Sequence, residues 1–277
     1  MRMRRFFKTG AVVASLALAL AACGGDDDTS TDTDTGTEAA ADLELVTDGT
    51  LTVCTDSPYK PMEFEQDGEF TGFDIELMRA IASELGLEST EVINSGFDGI
   101  TSGSVFAAGQ CDIAAASITI TEEREGNVDF TDPYFKADQS LLVKADSDIS
   151  SLEDFSGQRL GVQTGTTGEA YAQENAPDDA EIVSFDNPGD LFTALEADDI
   201  QGILQDLVVN QGRTLDDDSV QVVETYPTDE QYGFATPEGD QGDALLEAVN
   251  EALGTLMEDG TYDEIFNEWF PNTDPQG

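Results

Sequence analysis

The sequence predicts an α/β protein built as two similar lobes, and three observations lead there. Between about Thr50 and Phe270, short β-rich apolar runs alternate with amphipathic helical stretches, the pattern of sheets packed under helices. That patterned length, about 220 residues, exceeds one typical α/β lobe. Residues 159–206 also repeat the strand–helix–strand order of residues 51–117, so each half can build a sheet of its own.

The elements follow in order. "LTVC" (51–54) is a strand, and "FDIELMRAIASELG" (73–86) is a helix. Ile75, Met78, Ile81, Ala82 and Leu85 share one face of it, and Gly86 is its stop. "DIAAAS" (112–117) reads as a second buried strand. "SLLVKA" (140–145), "RLGVQ" (159–163), "AEIVSF" (180–185) and "IQGILQ" (200–205) read as further strands, and "DALLEAVNEALGTLMEDG" (243–260) as a long late helix. In open α/β sheets, ligands bind beyond the carboxyl ends of the strands. Those ends here are "TDSPY", "SITITEER", "TGTTGE" and "QD". Together they offer an arginine, two aspartates and several hydroxyls, a set that suits a zwitterion.

The first 22 residues read as an export signal: a basic stretch, "MRMRRFFK", then an apolar run too short to span a bilayer as a permanent helix. The run ends at "LAAC", which resembles the lipobox of prokaryotic lipoproteins and makes Cys23 the expected lipidation site. The alternative is an ordinary cleaved signal with Cys23 incidental. Residues 23–47 read as a disordered tether, because the stretch after Cys23, "GGDDDTSTDTDTGTEAAAD", has no apolar periodicity and cannot bury a core. Their acids lack the spacing of an EF-hand loop, so a solvated spacer is the expectation. No later segment is apolar and long enough to cross a membrane.

The chain carries 59 acids against 11 bases, a net charge of −48, and four of those bases lie in the leader. Such a surface repels nucleic acid and anionic membranes, which excludes both as specific partners. It is compatible with a high-salt milieu, where screening weakens the self-repulsion. The absence of histidine removes Ser-His-Asp and Cys-His nucleophile systems and argues against zinc. No catalytic residue, cofactor or metal is expected. In an oxidising compartment Cys54 and Cys111 are expected to pair, with two buried free thiols as the alternative.

Seven motifs in order resemble one family: "LTVCTDSPYKPMEFEQDGEFTGFDIEL", "CDIAAASITITEER", "VDFTDPYF", "SLLVKA", "LGVQTGTTGEAY", "QYGFATPEGD" and "LMEDGTYDEIFNEWF". The chain is similar to the extracellular solute-binding proteins of ABC importers, the branch that takes polar amino acids. The resemblance implies a type II periplasmic-binding-protein-like fold, two α/β lobes joined by a two-strand hinge. It further implies that Arg124 grips a ligand α-carboxylate bidentately, a geometry that lysine cannot match. A surface arginine bridging Glu122 or Glu123 is the alternative. By the same resemblance, Ser117 and Thr119 meet the ligand through backbone or hydroxyl, although Thr119 could equally fill a strand. Thr166 and Thr167 open a helix toward the carboxylate, a role that simple capping by Thr166 and Glu169 could share. Asp206 takes the α-ammonium or else caps the helix that follows. Asp56 faces the ligand side chain, flanked by Tyr59 and Phe97, which could otherwise be core aromatics.

Some glutamine-binding relatives carry a lysine at the place of Gln163 and a histidine at that of Gln205. Uncharged amides there, with Asp56 retained, leave the far end of the pocket net negative and favour a cationic side chain of the arginine or lysine kind. The alternatives are a glutamine or cystine binder of the same type, or a dehydratase-like enzyme on the same fold. The expected division is lobe 1 over 48–138 and 233–272, lobe 2 over 139–232, and a tail at 273–277. The expected setting is a lipid-anchored monomer on the outer face of the cell membrane, passing a free amino acid to the permease subunits of an ABC transporter.

Overall fold

A computed structural model describes residues 43–271. The leader, Cys23, most of the tether and the tail 273–277 lie outside the described residues. Residues 43–47, expected from the sequence to belong to a tether, contact the folded part. Leu43 and Leu45 pack on the core, the Val46 N–H donates to Asp112 Oδ1 at 2.6 Å, and Thr47 bridges Thr50. Alternating leucines give these residues a face to bury, which the acid- and threonine-rich stretch before them lacks.

Two five-stranded sheets carry the fold. The first orders its strands β4-β1-β5-β12-β6, with β1 (Thr50–Thr55) flanked in parallel by β4 (Ser89–Asn94) and β5 (Ile113–Ala114). The short β12 (Ala235–Thr236) joins β5 and β6 (Asp129–Phe130) antiparallel. The second sheet orders β11-β7-β10-β8-β9. In it β8 (Arg159–Gln163), β9 (Glu181–Phe185) and β10 (Gly202–Asp206) run parallel. The long β7 (Phe135–Lys144) and β11 (Val220–Tyr232) are antiparallel to each other and carry the chain between the two sheets. A small hairpin, β2 (Phe64–Gln66) and β3 (Glu69–Thr71), precedes the first helix.

Helices cover both sheets. Helix α1 (Phe73–Glu84) buries Ile75, Met78, Ile81 and Ala82 as its periodicity requires. The chain turns out of it at Gly86, whose φ of 75° is left-handed. Two short helices, α2 (Phe97–Thr101) and α3 (Ser104–Ala107), follow β4. In the second lobe, α4 (Thr167–Asn175) begins at Thr166, whose hydroxyl accepts from the Glu169 N–H. Helix α5 (Pro188–Glu196) has Asn187 as its cap and proline in its first turn. Helix α6 (Leu207–Asp216) springs directly from β10. Back in the first lobe, α7 (Asp240–Asp259) ends at left-handed Gly260, and α8 (Thr261–Trp269) closes the described chain. Among the described residues no helix is long and apolar enough to cross a membrane.

Each sheet has its own core. In the first, Leu51 and Val53 of β1 meet Phe73, Leu77 and Met78 of α1 and Leu245, Val249 and Leu253 of α7. In the second, Leu141, Val143, Leu160, Val162 and Leu204 close over Phe155. Each such side chain contributes about 1.5–3 kcal/mol when fully buried. Cys54 and Cys111 form a disulfide inside a satellite cluster with Phe97, Ile100 and Ala114.

Two strand expectations need correction. The strand read at 112–117 stops at Ala114, because Ser117 takes a positive φ of 50° and turns the chain toward the cleft. Strand β7 starts at Phe135 rather than 140, because its first residues pair with the end of β11.

Candidate functional site

The carboxyl ends of β1, β5, β8 and β10, with the start of α2, converge on one narrow cavity, whose space free of protein atoms, open solvent at its mouth included, is roughly 300 Å³. Asp56, Tyr59, Phe97, Ser117, Thr119, Arg124, Thr166, Thr167 and Asp206 all line it, joined by Glu63, Ala116 and Gln163. Its charged lining is therefore three carboxylates and one guanidinium.

Arg124 opens a short 3₁₀ turn and is 6% exposed. It makes no bridge to Glu122 or Glu123 among the described contacts. Its guanidinium donates to the Thr119 carbonyl at 2.7 Å and to the Gly165 carbonyl, across the cleft, at 3.1 Å. It lies over the Phe97 ring, 4.9 Å from the centroid. Burial lowers its pKa, opposed by the nearby charges of Asp206 and Glu230. Two of its five N–H groups are used in these bonds, and its planar fork suits a carboxylate.

Asp206 ends β10 and accepts from three donors. Tyr59 and Tyr232 hydroxyls bond Oδ2 at 2.9 and 2.5 Å, and Gln139 Nε2 bonds Oδ1 at 2.6 Å. Its side chain makes no bond to the start of α6, so helix capping is not its task. A carboxylate has about four acceptor positions, which leaves one for a further donor. Burial raises its pKa, and the three hydrogen bonds and Arg124 pull it back. Gln139 also donates to Glu230 Oε2 at 2.9 Å, and Glu230 accepts from Thr167 Oγ1 at 3.0 Å. A shift of register between Tyr226 and Glu230 in β11 delivers that carboxylate to the cleft.

At the other end, Asp56 is 4% exposed and accepts from Gln163 Nε2 at 2.6 Å, again across the cleft. Burial carries its pKa up to about 6, moderated by that bond. Glu63 lies beside it, 1% exposed, accepting from Ser117 Oγ at 3.1 Å. Ser117 gives its N–H to Asp74 Oδ2 at 2.9 Å, so both of its donors serve buried acids. A non-glycine residue at positive φ is uncommon and here aims the two donors at two carboxylates. Gly72 holds Glu63 in place. At its φ of 122° a Cβ would sit 2.2 Å from the Met62 carbonyl oxygen, and the Asp74 N–H donates to that same oxygen at 3.0 Å.

The nine residues singled out from the sequence thus share one cavity. The sequence reading did not include Glu63, Gln139 or Glu230. Glu63 sits between buried Met62 and Phe64, a hint of burial hidden by the abundance of acids around it. Gln139 and Glu230 meet only through the pairing of β7 with β11, for which no local signal exists. Gln205 bonds Asn210 and is not part of the lining.

A two-lobed α/β molecule with an interlobe cavity that holds a lone guanidinium opposite an aspartate is built as a ligand-binding protein. The chain belongs to the bacterial extracellular solute-binding proteins, family 3, whose model matches residues 51–272. It is 35% identical over 222 residues to the ABC transporter glutamine-binding protein GlnH of Bacillus subtilis (strain 168), covering 78% of this chain and 79% of that one. It is 31% identical over 217 residues to ABC transporter arginine-binding protein 1 of Escherichia coli (strain K12), covering 77% and 87%. Among solved structures, an ancestral arginine-binding protein, bound to arginine and separately to glutamine, matches with a TM-score of 0.74 at 38% identity, covering 80% of this chain and 98% of that one. These relatives are named as binding proteins, not enzymes.

Proposed function

We propose that this chain captures a cationic L-amino acid, of the arginine or lysine kind, outside the cytoplasm and hands it to the permease of an ABC importer. The observation that carries this reading is the charge inventory of the cavity, one guanidinium against three carboxylates. An L-amino acid with a cationic side chain brings one negative and two positive charges, close to the complement of that lining. Its α-carboxylate pairs with Arg124, its α-ammonium takes the remaining acceptor position of Asp206, and its side chain runs between Tyr59 and Phe97 toward Asp56. Bonds across the cleft from Tyr59, Gln163 and Arg124 support closure of the lobes around the ligand. The relatives named for arginine agree with this reading, and the one named for glutamine supplies the second. The Gln163–Asp56 pair favours that second reading, because it can present both a donor and an acceptor to a side-chain amide. Lipidation at Cys23, the monomeric state and lobe boundaries at 138/139 and 232/233 complete the proposal.

A thermal-shift screen of the twenty L-amino acids with ornithine and cystine tests it. A ligand at 100 times its Kd adds about 2.7 kcal/mol of stability, a readily measured rise in melting temperature. The proposal expects arginine, lysine or ornithine to give the largest rise. A rise with glutamine alone retains an amino-acid binder and rejects the cationic ligand; no rise with any of them rejects both.

A further inference from the structure

Glu63 is the group in the cavity whose surroundings the binding scheme above leaves unexplained. It is 1% exposed, its Oε2 accepts from Ser117 Oγ, and its Oε1 is buried without a hydrogen-bond partner among the described residues. A buried carboxylate oxygen with no donor is costly unless the group is neutral or meets a cation. The carboxylates of Asp74 from α1, Asp56 beyond β1 and Asp206 at the end of β10 all bear on Glu63, and the one cation in the same lining, Arg124, makes no hydrogen bond to it among the described residues. The phenols of Tyr59 and Tyr134 also face it. Asp74 is better provided for, accepting from the Tyr134 hydroxyl at 2.8 Å and from the Ser117 N–H. The negative charge of the pair therefore settles on Asp74 and the proton on Glu63.

We propose that Glu63 forms the distal subsite for the positively charged end of the ligand side chain and exchanges its proton for that charge on binding. This rests on the amino-acid reading of the site and adds to it a determinant and a linkage. In the protein alone the Glu63 carboxyl is protonated. When a guanidinium or ammonium group arrives, the carboxyl proton leaves to solvent, and the N–H donors of the ligand bond the resulting carboxylate at Oε1. A neutral side chain leaves the proton where it is. Selectivity between cationic and neutral amino acids thus follows pH. Burial raises Glu63 well above the ordinary carboxylate range, consistent with the geometry. Affinity for the cationic ligand then tightens as pH rises, by about tenfold per unit while Glu63 remains protonated in the free protein. Affinity for glutamine carries no such dependence on Glu63.

Calorimetric titration of the full chain with arginine and with glutamine, in buffers of different ionisation enthalpy near neutral pH, tests the proposal. The wild type is expected to release about one proton per arginine and none per glutamine. Glu63→Gln is expected to abolish that release and to lower the arginine-to-glutamine affinity ratio by about tenfold or more, the scale of one hydrogen bond to a charged group. The wild-type result needs no variant to fold. Arginine binding without proton release overturns the proposal and leaves the amino-acid reading standing. So does a release that survives Glu63→Gln and vanishes in Asp56→Asn. Binding of neither arginine nor any other amino acid overturns both.

Discussion

Asp56 and Gln163 set the character of the far end of the cavity. Their bond, Nε2 to Oδ2 at 2.6 Å, leaves the carboxylate without a neutralising charge. A lysine in place of the amide would supply that charge and repel a cationic side chain at the same time, the attractive and repulsive elements of a specificity change acting together. Gln163→Lys is therefore expected to weaken arginine binding by at least about tenfold more than glutamine binding, the scale of one buried charge-assisted contact. Paired titrations of the variant check it, and equal losses for both ligands would count against the assignment of this end to the side chain. Asp56 and Gln163 were open to reading from the sequence because both stand at strand ends in recognisable motifs. Glu63 was not, because a chain with 59 acids gives no local sign of which acids are buried.

The elements that place these residues were legible in proportion to their periodicity. The faces of α1 and α7 and the parallel strands β1, β8, β9 and β10 follow from apolar spacing alone. The extent of β7 and the register shift in β11 were not legible, since both arise from pairing between segments some 90 residues apart. Strand β5 ends early through the conformation of a single serine. The Cys54–Cys111 disulfide links the strand before Asp56 to the segment before Ser117, and Phe97 packs in the same cluster. It closes a span of 57 residues, for which loop entropy gives a few kcal/mol. Replacing both cysteines with alanine is expected to lower unfolding stability by about 2–4 kcal/mol in denaturant titration. A change below about 0.5 kcal/mol would mean that the bond does not constrain the unfolded chain.

At the scale of the whole molecule, acidity dominates. Burial lifts Asp56 from an ordinary value of 3.8 to about 6, and lifts the adjoining Asp74–Glu63 pair above the ordinary carboxylate range, with the proton held on Glu63. Between the ordinary and raised values the folded state holds protons that the unfolded state has released. Stability therefore falls as pH rises through this window and goes on falling for as long as Glu63 keeps its proton in the folded state. Exposed acids add repulsion of the same sign, but salt screens them and spares buried groups. The melting temperature of the ligand-free protein is accordingly expected to rise as pH is lowered from about 8 to about 5, and to keep that trend in molar salt. A trend that vanishes in salt would assign it to the surface alone. The two lobes meet through Tyr59, Gln163, Arg124 and the exposed Lys60–Asp216 pair at 2.5 Å, of which the last contributes about 0–1 kcal/mol. Arg124 is the cation that, under the proposed function, holds the ligand carboxylate. The most direct measurement is calorimetric titration of the wild type, Arg124→Lys and Arg124→Ala with L-arginine, with folding of each verified by circular dichroism. Saturable binding by the wild type, weakened by about tenfold or more in the lysine variant and further in the alanine variant, is the expected result. Equal affinity in all three folded proteins would contradict it.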